Sequence, residues 1–265
     1  MRELVLRALL GERLPEWRKA SIERVKQGQT HNAFLLTLGD RRALCKVDTE
    51  PRTGVVNSRI EEAAIQRRVA ASGLSPSVLY ADEHCIVTEY AEAEVLNAGD
   101  LLSVELVATL GTRLSELHSQ PLTGRRFDAA AAGRVYASTI ADTETAEHCL
   151  AIINAMDEDD DLVFSHNDLV AGNILRADRI LFIDWEYACD NSPLFDVATI
   201  LAHHALDVDS ARALLETRFG DSSSKLMARL MTHVRGYRAL YWLWLANRNP
   251  DDHLLGPLRP LLDDA

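Results

Sequence analysis

Residues 166–173 read His166-Asn167-Asp168-Leu169-Val170-Ala171-Gly172-Asn173, a polar stretch between two short apolar runs. These runs, residues 162–164 and 180–183, have the length and composition of short buried strands. One interpretation is that His, Asp and Asn simply cap a turn here, as these residue types often do. The spacing of the aspartate and the asparagine, five positions apart, supports a more specific interpretation.

The stretch follows the catalytic-loop pattern of kinases, H-x-D-L-x-x-x-N, with Asn167 at the position where protein kinases carry arginine. Because phosphoryl transfer depends on positioning and charge neutralisation, an aspartate must lie beside the attacking hydroxyl. The pattern therefore predicts Asp168 as the catalytic base and Asn173 as a ligand of magnesium. His166 belongs to the same catalytic loop, where we expect a buried support rather than a base.

A second motif, Ile183-Asp184-Trp185-Glu186-Tyr187, completes the second apolar run. A kinase places its main magnesium carboxylate at a strand end shortly after the catalytic loop. Magnesium takes carboxylate and phosphate oxygens, so Asp184 is predicted to share the metal with Asn173. Glu186 leaves two interpretations open: it binds the metal or a cationic substrate, or it forms a structural ion pair.

Lys46 is the third chemical feature, and it lies within a predicted β-hairpin. Residues 33–38 and 42–47 are apolar runs that flank the turn Gly39-Asp40-Arg41. A lysine inside such a strand is expected to be paired. In kinases it binds the nucleotide phosphates, and a glutamate of the following helix holds it. A solvated lysine on an edge strand is the alternative.

The helix after this hairpin supplies the partner predicted for Lys46. Ser58 and Glu61 have the spacing of a capping box, and the helix is predicted over residues 59–71. Because Glu61 is engaged in the cap, Glu62 is the expected partner of Lys46. Both residues are then candidates for the nucleotide site.

Strand-like runs give way to helical periodicity near residues 91–100. Beyond that point apolar residues recur every three or four positions, as at Leu106, Leu110 and Leu114. The chain is therefore predicted to be an α+β protein. Residues 1–91 would form a small N-lobe that binds nucleotide and consists of an antiparallel sheet with one helix. Residues 92–265 would form a larger, mostly helical C-lobe for catalysis and substrate binding.

Together these motifs resemble the aminoglycoside phosphotransferase and choline kinase superfamily, whose members share the protein-kinase-like two-lobe fold. The resemblance covers nearly the whole chain, and the stretch from Ile183 to Asp196 looks most like choline and thiamine kinases. It implies ATP and Mg²⁺ as cofactors. It also implies that Asp196 braces the catalytic loop rather than touching the substrate.

The resemblance extends to the nucleotide site. Residues Gly28-Gln29-Thr30-His31-Asn32 are similar to the G-x-T-N loop of the family, which implies that Gly28, Thr30 and Asn32 contact the nucleotide. By the same resemblance, Glu89 and Ala91 would offer backbone hydrogen bonds to adenine. Each of these nucleotide contacts is expected from the family pattern.

The last long helical region carries an aromatic stripe. Tyr237, Tyr241 and Trp244 have i, i+4, i+7 spacing, with Trp242 beside them. Aromatic faces attract quaternary ammonium groups. In the choline kinases that this chain resembles, an aromatic and acidic pocket holds that group. Packing in the core is the alternative for each aromatic residue. The candidate substrate contacts are Glu186, Trp185, Tyr241 and Trp242.

The predicted function is transfer of the γ-phosphoryl group of ATP to a hydroxyl of a small cationic alcohol such as choline, ethanolamine or thiamine. An aminoglycoside is the alternative acceptor, since it is also cationic and rich in hydroxyls. Two non-catalytic alternatives are a pseudokinase that binds nucleotide and a binding protein for a cationic metabolite. A protein kinase is disfavoured, because the interval between Asp184 and Asp196 leaves no room for an activation segment.

Composition narrows the range of partners. The formal net charge of −12 argues against a nucleic-acid partner, which needs clustered Lys and Arg. The charged N-terminus is unlike a signal peptide, and no apolar run reaches the length of a membrane span. The four cysteines form no CxxC pair, as expected of free thiols in a reducing cytoplasm. We therefore predict a cytoplasmic protein, and the sequence leaves its oligomeric state open.

Overall fold

The computed structural model describes residues 3–25, 31–49, 51–52, 54–97, 103–156, 161–204 and 206–263. Its α-helices are α1 (Glu3–Arg13), α2 (Arg59–Ala71), α3 (Val104–His118), α4 (Ala129–Ala137), α5 (Thr143–Asn154), α6 (Pro193–His204), α7 (Val208–Phe219), α8 (Ser224–Arg248) and α9 (Leu255–Leu258). Its strands are β1 (Ser21–Val25), β2 (His31–Leu38), β3 (Arg41–Asp48), β4 (Val78–Ala81), β5 (Cys85–Glu89), β6 (Glu94–Val95), β7 (Val163–Ser165), β8 (Ile174–Arg176), β9 (Ile180–Phe182) and β10 (Cys189–Asn191). This content confirms the predicted α+β class.

An antiparallel sheet of five strands, in the order β1-β2-β3-β5-β4, carries Lys46. The predicted hairpin is confirmed as β2 and β3, whose register pairs Leu38 with Arg41. Only two residues remain in the turn, and Gly39 adopts a φ of 58°, which glycine tolerates better than other residues. Because β3 has a paired neighbour on each side, the backbone around Lys46 is fixed on both edges.

Helix α2 begins and ends as its sequence predicts. The Ser58 side chain accepts a hydrogen bond from the Glu61 amide, and the Glu61 carboxylate returns to the Ser58 amide at 2.8 Å. This capping box satisfies backbone donors that the first helical turn leaves free. After the helix, Gly73 has a φ of 67°. A Cβ there would lie 2.5 Å from the Arg179 guanidinium, the flexible end of a side chain that can shift, so it is the left-handed backbone that favours glycine.

The core of the sheet is completed by α1, which the sequence analysis did not predict as a helix. Leu6, Leu10 and Leu14 lie along one side of α1 and its end, and each is at most 6% exposed. They belong to one hydrophobic cluster with Trp17 and with apolar residues of β2, β3 and β5. Charged residues interrupt the apolar stripe of α1, which hid its helical period in the sequence.

The helices beyond β6 pack mainly around α8, which contacts α4, α5 and α6. Helices α3 and α7 also pack closely, because Gly111 lets them approach: a Cβ there would lie 2.9 Å from the Thr217 side chain. Strands β7 and β10 form a short antiparallel pair in which Ser165 faces Cys189. This pair positions the start of the catalytic loop.

The contacts of the chain divide it into two compact units. The first comprises Met1–Glu94 with Leu175–Ala188, and the second comprises Val95–Ile174 with Cys189–Ala265. The first unit therefore contains Lys46 and Asp184, and the second contains the catalytic loop. The assignment of residues 1–91 and 92–265 to two functional lobes stays a prediction.

Two further sequence expectations concern cysteines and membrane spans. All four cysteines are buried free thiols, as predicted. Among the helices within the described ranges, none combines the length and apolar character needed to cross a membrane.

Candidate active site

The catalytic loop follows β7 and begins with an unusual backbone conformation. Asn167 has a φ of 65°, in the left-handed region that asparagine tolerates better than most residues. The backbone amides of His166 and Asn167 both donate to the Asp196 carboxylate, at 2.9 and 2.8 Å. His166 itself is fully buried, as predicted for a support of the loop. The strained turn is thus held in place by a carboxylate from α6.

Asp196 is fully buried and also accepts a hydrogen bond from His118 Nε2 at 3.1 Å. Arg218 Nε donates to His118 Nδ1 at 2.9 Å, so the proton of the neutral imidazole is on Nε2, facing Asp196. Burial alone would raise the pKa of Asp196, but His118 and His166 lower it below its ordinary value. Asp196 therefore stays ionised, and the predicted bracing of the loop by Asp196 is confirmed.

Asp168 and Asn173 contact each other within the loop. The Asn173 side-chain nitrogen donates to the Asp168 backbone oxygen at 2.8 Å and to its carboxylate Oδ2 at 2.9 Å. Asp168 is half-buried, whereas Asn173 is only 8% exposed. Since the nitrogen of the Asn173 amide is engaged, its carbonyl oxygen is the atom available to a cation. The two roles predicted for these residues, base and metal ligand, remain predictions.

Lys46 is paired with Asp184, and the predicted pair of Lys46 with Glu62 is wrong. Lys46 Nζ lies 2.9 Å from Asp184 Oδ2. Asp184 follows β9 and has a φ of 71°, a second strained residue. Glu62 instead binds Arg59 Nη1 at 2.8 Å and Arg52 Nη1 at 3.0 Å. Arg59 and Glu62 are three positions apart on α2, a spacing that brings their side chains together on one helix face.

Glu186 lies against an arginine, as its structural alternative expects, and its role toward a metal or a substrate stays a prediction. Its Oε2 lies 3.2 Å from Arg52 Nη2, and its side chain is 10% exposed. Burial and the negative charges of Asp184 and Glu62 raise the pKa of Glu186 to about 8. The raised pKa reflects the crowding of carboxylates around Asp184.

Seven charged groups of the first unit form one cluster. Its four carboxylates and three cations are Asp48, Glu62, Asp184, Glu186, Lys46, Arg52 and Arg59. The cluster has one more carboxylate than it has cations, and an unbalanced charge is costly to bury. A proton on Glu186 would balance the cluster, which agrees with its raised pKa.

In the second unit, the aromatic stripe of α8 forms a stack of rings. Tyr237 and Tyr241 have centroids 6.2 Å apart at an angle of 9°, and Trp244 continues the stack at 6.0 Å and 18°. His203 of α6 meets both tyrosines edge-on, and its Nε2 lies 2.6 Å from the Tyr237 hydroxyl. Burial raises the pKa values of both tyrosines, and the charge of Asp168 raises them further, so the stack lies within electrostatic reach of Asp168.

Two predicted substrate contacts are buried in the core. Trp185 is fully buried, and its Nε1 donates to Ser75 Oγ at 3.0 Å. Trp242 is 4% exposed and has no place in the ring stack, since it is on another face of α8. The burial of both indoles favours packing over substrate contact, and a substrate role for either stays a prediction. Tyr241 is half-buried and remains a candidate.

The predicted nucleotide contacts are partly within the described residues. Gly28 and Thr30 lie outside them. Asn32 is on β2, and Glu89 ends β5. The Glu89 amide donates to a carbonyl of the loop before β4 at 2.9 Å, so the Glu89 carbonyl, with Ala91, is left as the expected contact for adenine. These nucleotide roles stay predictions.

The sequence analysis missed His203, Arg52 and Arg59. His203 lies eight positions after Phe195 on α6, and nothing local marks it, because its partners come from α8. The two arginines lie in a stretch rich in charge that reads as a solvated loop and helix start. The complete burial of Arg59, which the sequence does not reveal, is what marks it as a site residue.

The donor chemistry fits magnesium. Across the part of the chain that is described, no three His, Cys, Asp or Glu side chains converge to hold a metal. Magnesium, however, takes one or two protein ligands and completes its shell with phosphate oxygens and water. The carboxylate of Asp184 and the amide oxygen of Asn173 are ligands of this type. When bound, the ion supplies charge neutralisation on the phosphates.

Known proteins with similar sequences and structures include several kinases. Protein LicA of Haemophilus influenzae is 40% identical over 87 residues, which cover 30% of this chain and 33% of LicA. The chain thus matches about a third of the length of that relative. The choline kinase LicA of Streptococcus pneumoniae superposes with a TM-score of 0.79 at 18% identity, over 96% of each chain.

A solved kanamycin complex has a similar fold. The GDP and kanamycin complex of APH(2″)-IIia superposes with a TM-score of 0.73 at 14% identity, over 98% of each chain. These superpositions confirm the predicted protein-kinase-like fold. Residues 21–237 match the phosphotransferase enzyme family, a range that runs from β1 into α8 and includes Lys46, the catalytic loop and Asp184. The chain therefore belongs to the phosphotransferase enzyme family.

Proposed function

We propose that this protein transfers the γ-phosphoryl group of ATP to a hydroxyl of a small cationic alcohol of the choline, ethanolamine or thiamine type. The observation that carries the proposal is in the second unit, where the Asp168–Asn173 pair lies within electrostatic reach of the Tyr237–Tyr241 stack. In such a site the Asp168 carboxylate would accept the hydroxyl proton, and the tyrosine rings would bind the cation. Family membership supports the kinase chemistry.

Asp168 has the geometry of a base that orients an alcohol. Its Oδ2 is fixed by the Asn173 amide at 2.9 Å, so the carboxylate has a defined direction. We propose that it accepts the proton of the attacking hydroxyl. Such positioned proton transfer commonly contributes about 10²–10⁴-fold to the rate. Lys46 is proposed to bind the phosphates, and Asp184 and Asn173 are each proposed as ligands of magnesium.

The ring stack supports an acceptor with a compact cation. Stacked Tyr241 and Trp244 present π-faces, and the Arg248 guanidinium already lies over the Trp244 ring, 5.1 Å from its centroid. This contact is of the cation–π type that the quadrupole of an indole favours. We propose that the ammonium group of the substrate uses the Tyr241 face in the same way.

A coupled ADP-release assay tests the function. It should compare choline, ethanolamine and thiamine with a set of aminoglycosides, each with Mg·ATP, and should include the uncharged carbon isostere of choline. We expect turnover with one of the cationic alcohols and a specificity constant for the isostere about tenfold lower or more, since one cation–π contact is worth about 1–2 kcal/mol. Turnover with aminoglycosides alone would replace the proposed acceptor. Binding of Mg·ATP with no acceptor turned over would favour a pseudokinase.

His203 gives a prediction for stability against pH. Burial, and then the charge of His204, lower the pKa of His203 to about 4 from 6.5. Between these values the unfolded chain binds a proton that the folded protein excludes, so stability falls as the pH falls through this window. From pH 7 to pH 5 the loss from this group is about 2 kcal/mol.

The measurement compares unfolding free energies of the wild type and His203→Gln in urea at pH 7 and pH 5. Glutamine keeps a polar partner for Tyr237 but does not titrate. We expect the stability advantage of the wild type to shrink by about 2 kcal/mol at the lower pH, because all other groups titrate alike in both proteins. Parallel changes in the two proteins would show that His203 is not a buried neutral imidazole.

Location and assembly complete the proposal. A cytoplasmic location stays a prediction, supported by the four reduced and buried cysteines. The partner we propose is the small-molecule alcohol itself. Neither nucleic acid nor a membrane is part of the proposed function.

A further inference from the structure

The start of α2 contacts both chain segments that supply the Lys46–Asp184 pair. Asp48 lies two residues after Lys46 on β3, and it receives Arg59 Nη2 at 2.7 Å and Arg59 Nε at 3.1 Å. On the other side, Asn57 Nδ2 donates to the carbonyls of Trp185 at 3.1 Å and Ala188 at 2.9 Å, just after Asp184. The same short stretch of chain thus holds the strand of the lysine and the segment of the aspartate.

The ion pair that joins α2 to β3 has its charges reversed relative to the Lys46–Glu62 pair expected from the sequence. The strand contributes a carboxylate, Asp48, and the helix contributes a cation, Arg59. Within the described ranges, the ion-pair partner of Lys46 is Asp184. Glu62, which was expected to hold Lys46, instead holds the far side of the Arg59 guanidinium at 2.8 Å.

A buried arginine is unfavourable at the start of a helix unless specific contacts stabilise it. Its side chain is fully buried at the first position of α2, where the helix dipole disfavours a positive charge. Burial by itself lowers the pKa of Arg59, but Glu62, Asp48 and Asp184 outweigh it and raise that pKa. The guanidinium is therefore always charged and is within electrostatic reach of Asp184 as well as bonded to Asp48.

We propose that Arg59 is a positioning residue of the nucleotide site: by fixing Asp48 against α2, it sets the strand that carries Lys46 and keeps the Lys46 ammonium on Asp184. The inference rests on the proposed use of Lys46 in phosphate binding. A planar guanidinium joins Asp48 and Glu62 at once. A lysine ammonium is a single point of charge and does not span both carboxylates in this way.

Equilibrium binding of Mg·ATP tests the proposal. In Arg59→Met we expect the Kd for Mg·ATP to rise about tenfold or more, and in Arg59→Lys by a smaller factor. The KM for the alcohol should change by less than about twofold, since the groups on which Arg59 acts in this role all belong to the first unit. Arg176→Met is the matched control, because Arg176 forms an exposed ion pair with Glu94 at 2.7 Å in the same unit.

A double-mutant cycle separates positioning from general stabilisation. Lys46→Met should itself weaken Mg·ATP binding. If Arg59 acts through Lys46, adding Arg59→Met to that variant should change the Kd by less than about twofold. Additive effects, or Kd values equal to those of the control, would overturn the inference.

Two further outcomes have fixed meanings. Should Arg59→Met not fold, Asp48→Asn tests the same tie from the strand side, and the expected rise in the Mg·ATP Kd is about three- to tenfold. An unchanged Kd in that variant would overturn the inference. A wild-type protein that binds no Mg·ATP would overturn the proposed function, and the inference with it, whereas wild-type binding with unaffected Arg59 variants would overturn the inference alone.

Discussion

Replacing Asp168 with asparagine is expected to lower turnover by about 10²–10⁴-fold, while the Kd for Mg·ATP changes by no more than about twofold. Asparagine has nearly the same shape, and its side-chain oxygen can still accept the hydrogen bond that Asn173 donates to Oδ2 at 2.9 Å. What it loses is the ability to take a proton from the acceptor hydroxyl. The ADP-release assay measures kcat, and nucleotide titration measures binding.

The matched control for this variant is Asp161→Asn, an exposed aspartate before β7 in the same unit. It should retain turnover within about twofold, as surface substitutions usually do. Full turnover by Asp168→Asn would remove Asp168 from the role of base. Loss of turnover together with loss of nucleotide binding would point to damage of the loop rather than to the chemistry.

Asp196→Ala is expected to destabilise the protein by about 3–5 kcal/mol, because it removes one partner from a fully buried set of charged hydrogen bonds. The amides of His166 and Asn167, at 2.9 and 2.8 Å, would lose their acceptor. His118 would lose its partner at 3.1 Å. For a chain of this size the loss corresponds to a fall in Tm of roughly 10 °C. Thermal unfolding followed by circular dichroism measures it.

A second variant keeps this prediction testable if the alanine variant does not fold. Asp196→Asn retains one acceptor oxygen, but its nitrogen would face a backbone donor, so we expect an intermediate loss of stability and a marked loss of turnover. Asp161→Ala serves as the control and should shift Tm by no more than about 2 °C. An Asp196→Asn protein with wild-type stability and turnover would show that the left-handed turn at Asn167 needs no brace.

Local features were predictable from the sequence where local physics decides them. The hairpin of β2 and β3, the capping box at Ser58 and the polar catalytic loop each depend on residues close in sequence. Residue types and spacing therefore carry enough information for these elements. The brace by Asp196 was found through the family resemblance, since Asp196 is remote in sequence from the amides it binds.

Other features depend on long-range packing and were missed or mistaken. Glu62 was assigned to Lys46 by its place on α2, but the buried arginines Arg52 and Arg59 compete for its carboxylate more effectively. Tryptophan is a residue type that often binds ligands, yet Trp185 is buried in the protein core. The local spacing of residues predicts neither the burial of a side chain nor the identity of a partner that is remote in sequence.

The first compact unit is discontinuous along the chain, and this affects how the protein is made. Residues 1–94 leave the ribosome long before 175–188, which belong to the same unit. Until then the carbonyl of Leu74 lacks its donor, the amide of Phe182, at 2.8 Å, and the Asn57 side chain lacks the carbonyls of Trp185 and Ala188. The strands of the five-stranded sheet are all synthesised early, whereas these contacts of Leu74 and Asn57 form late, so a fragment that ends at residue 94 lacks part of its folding unit.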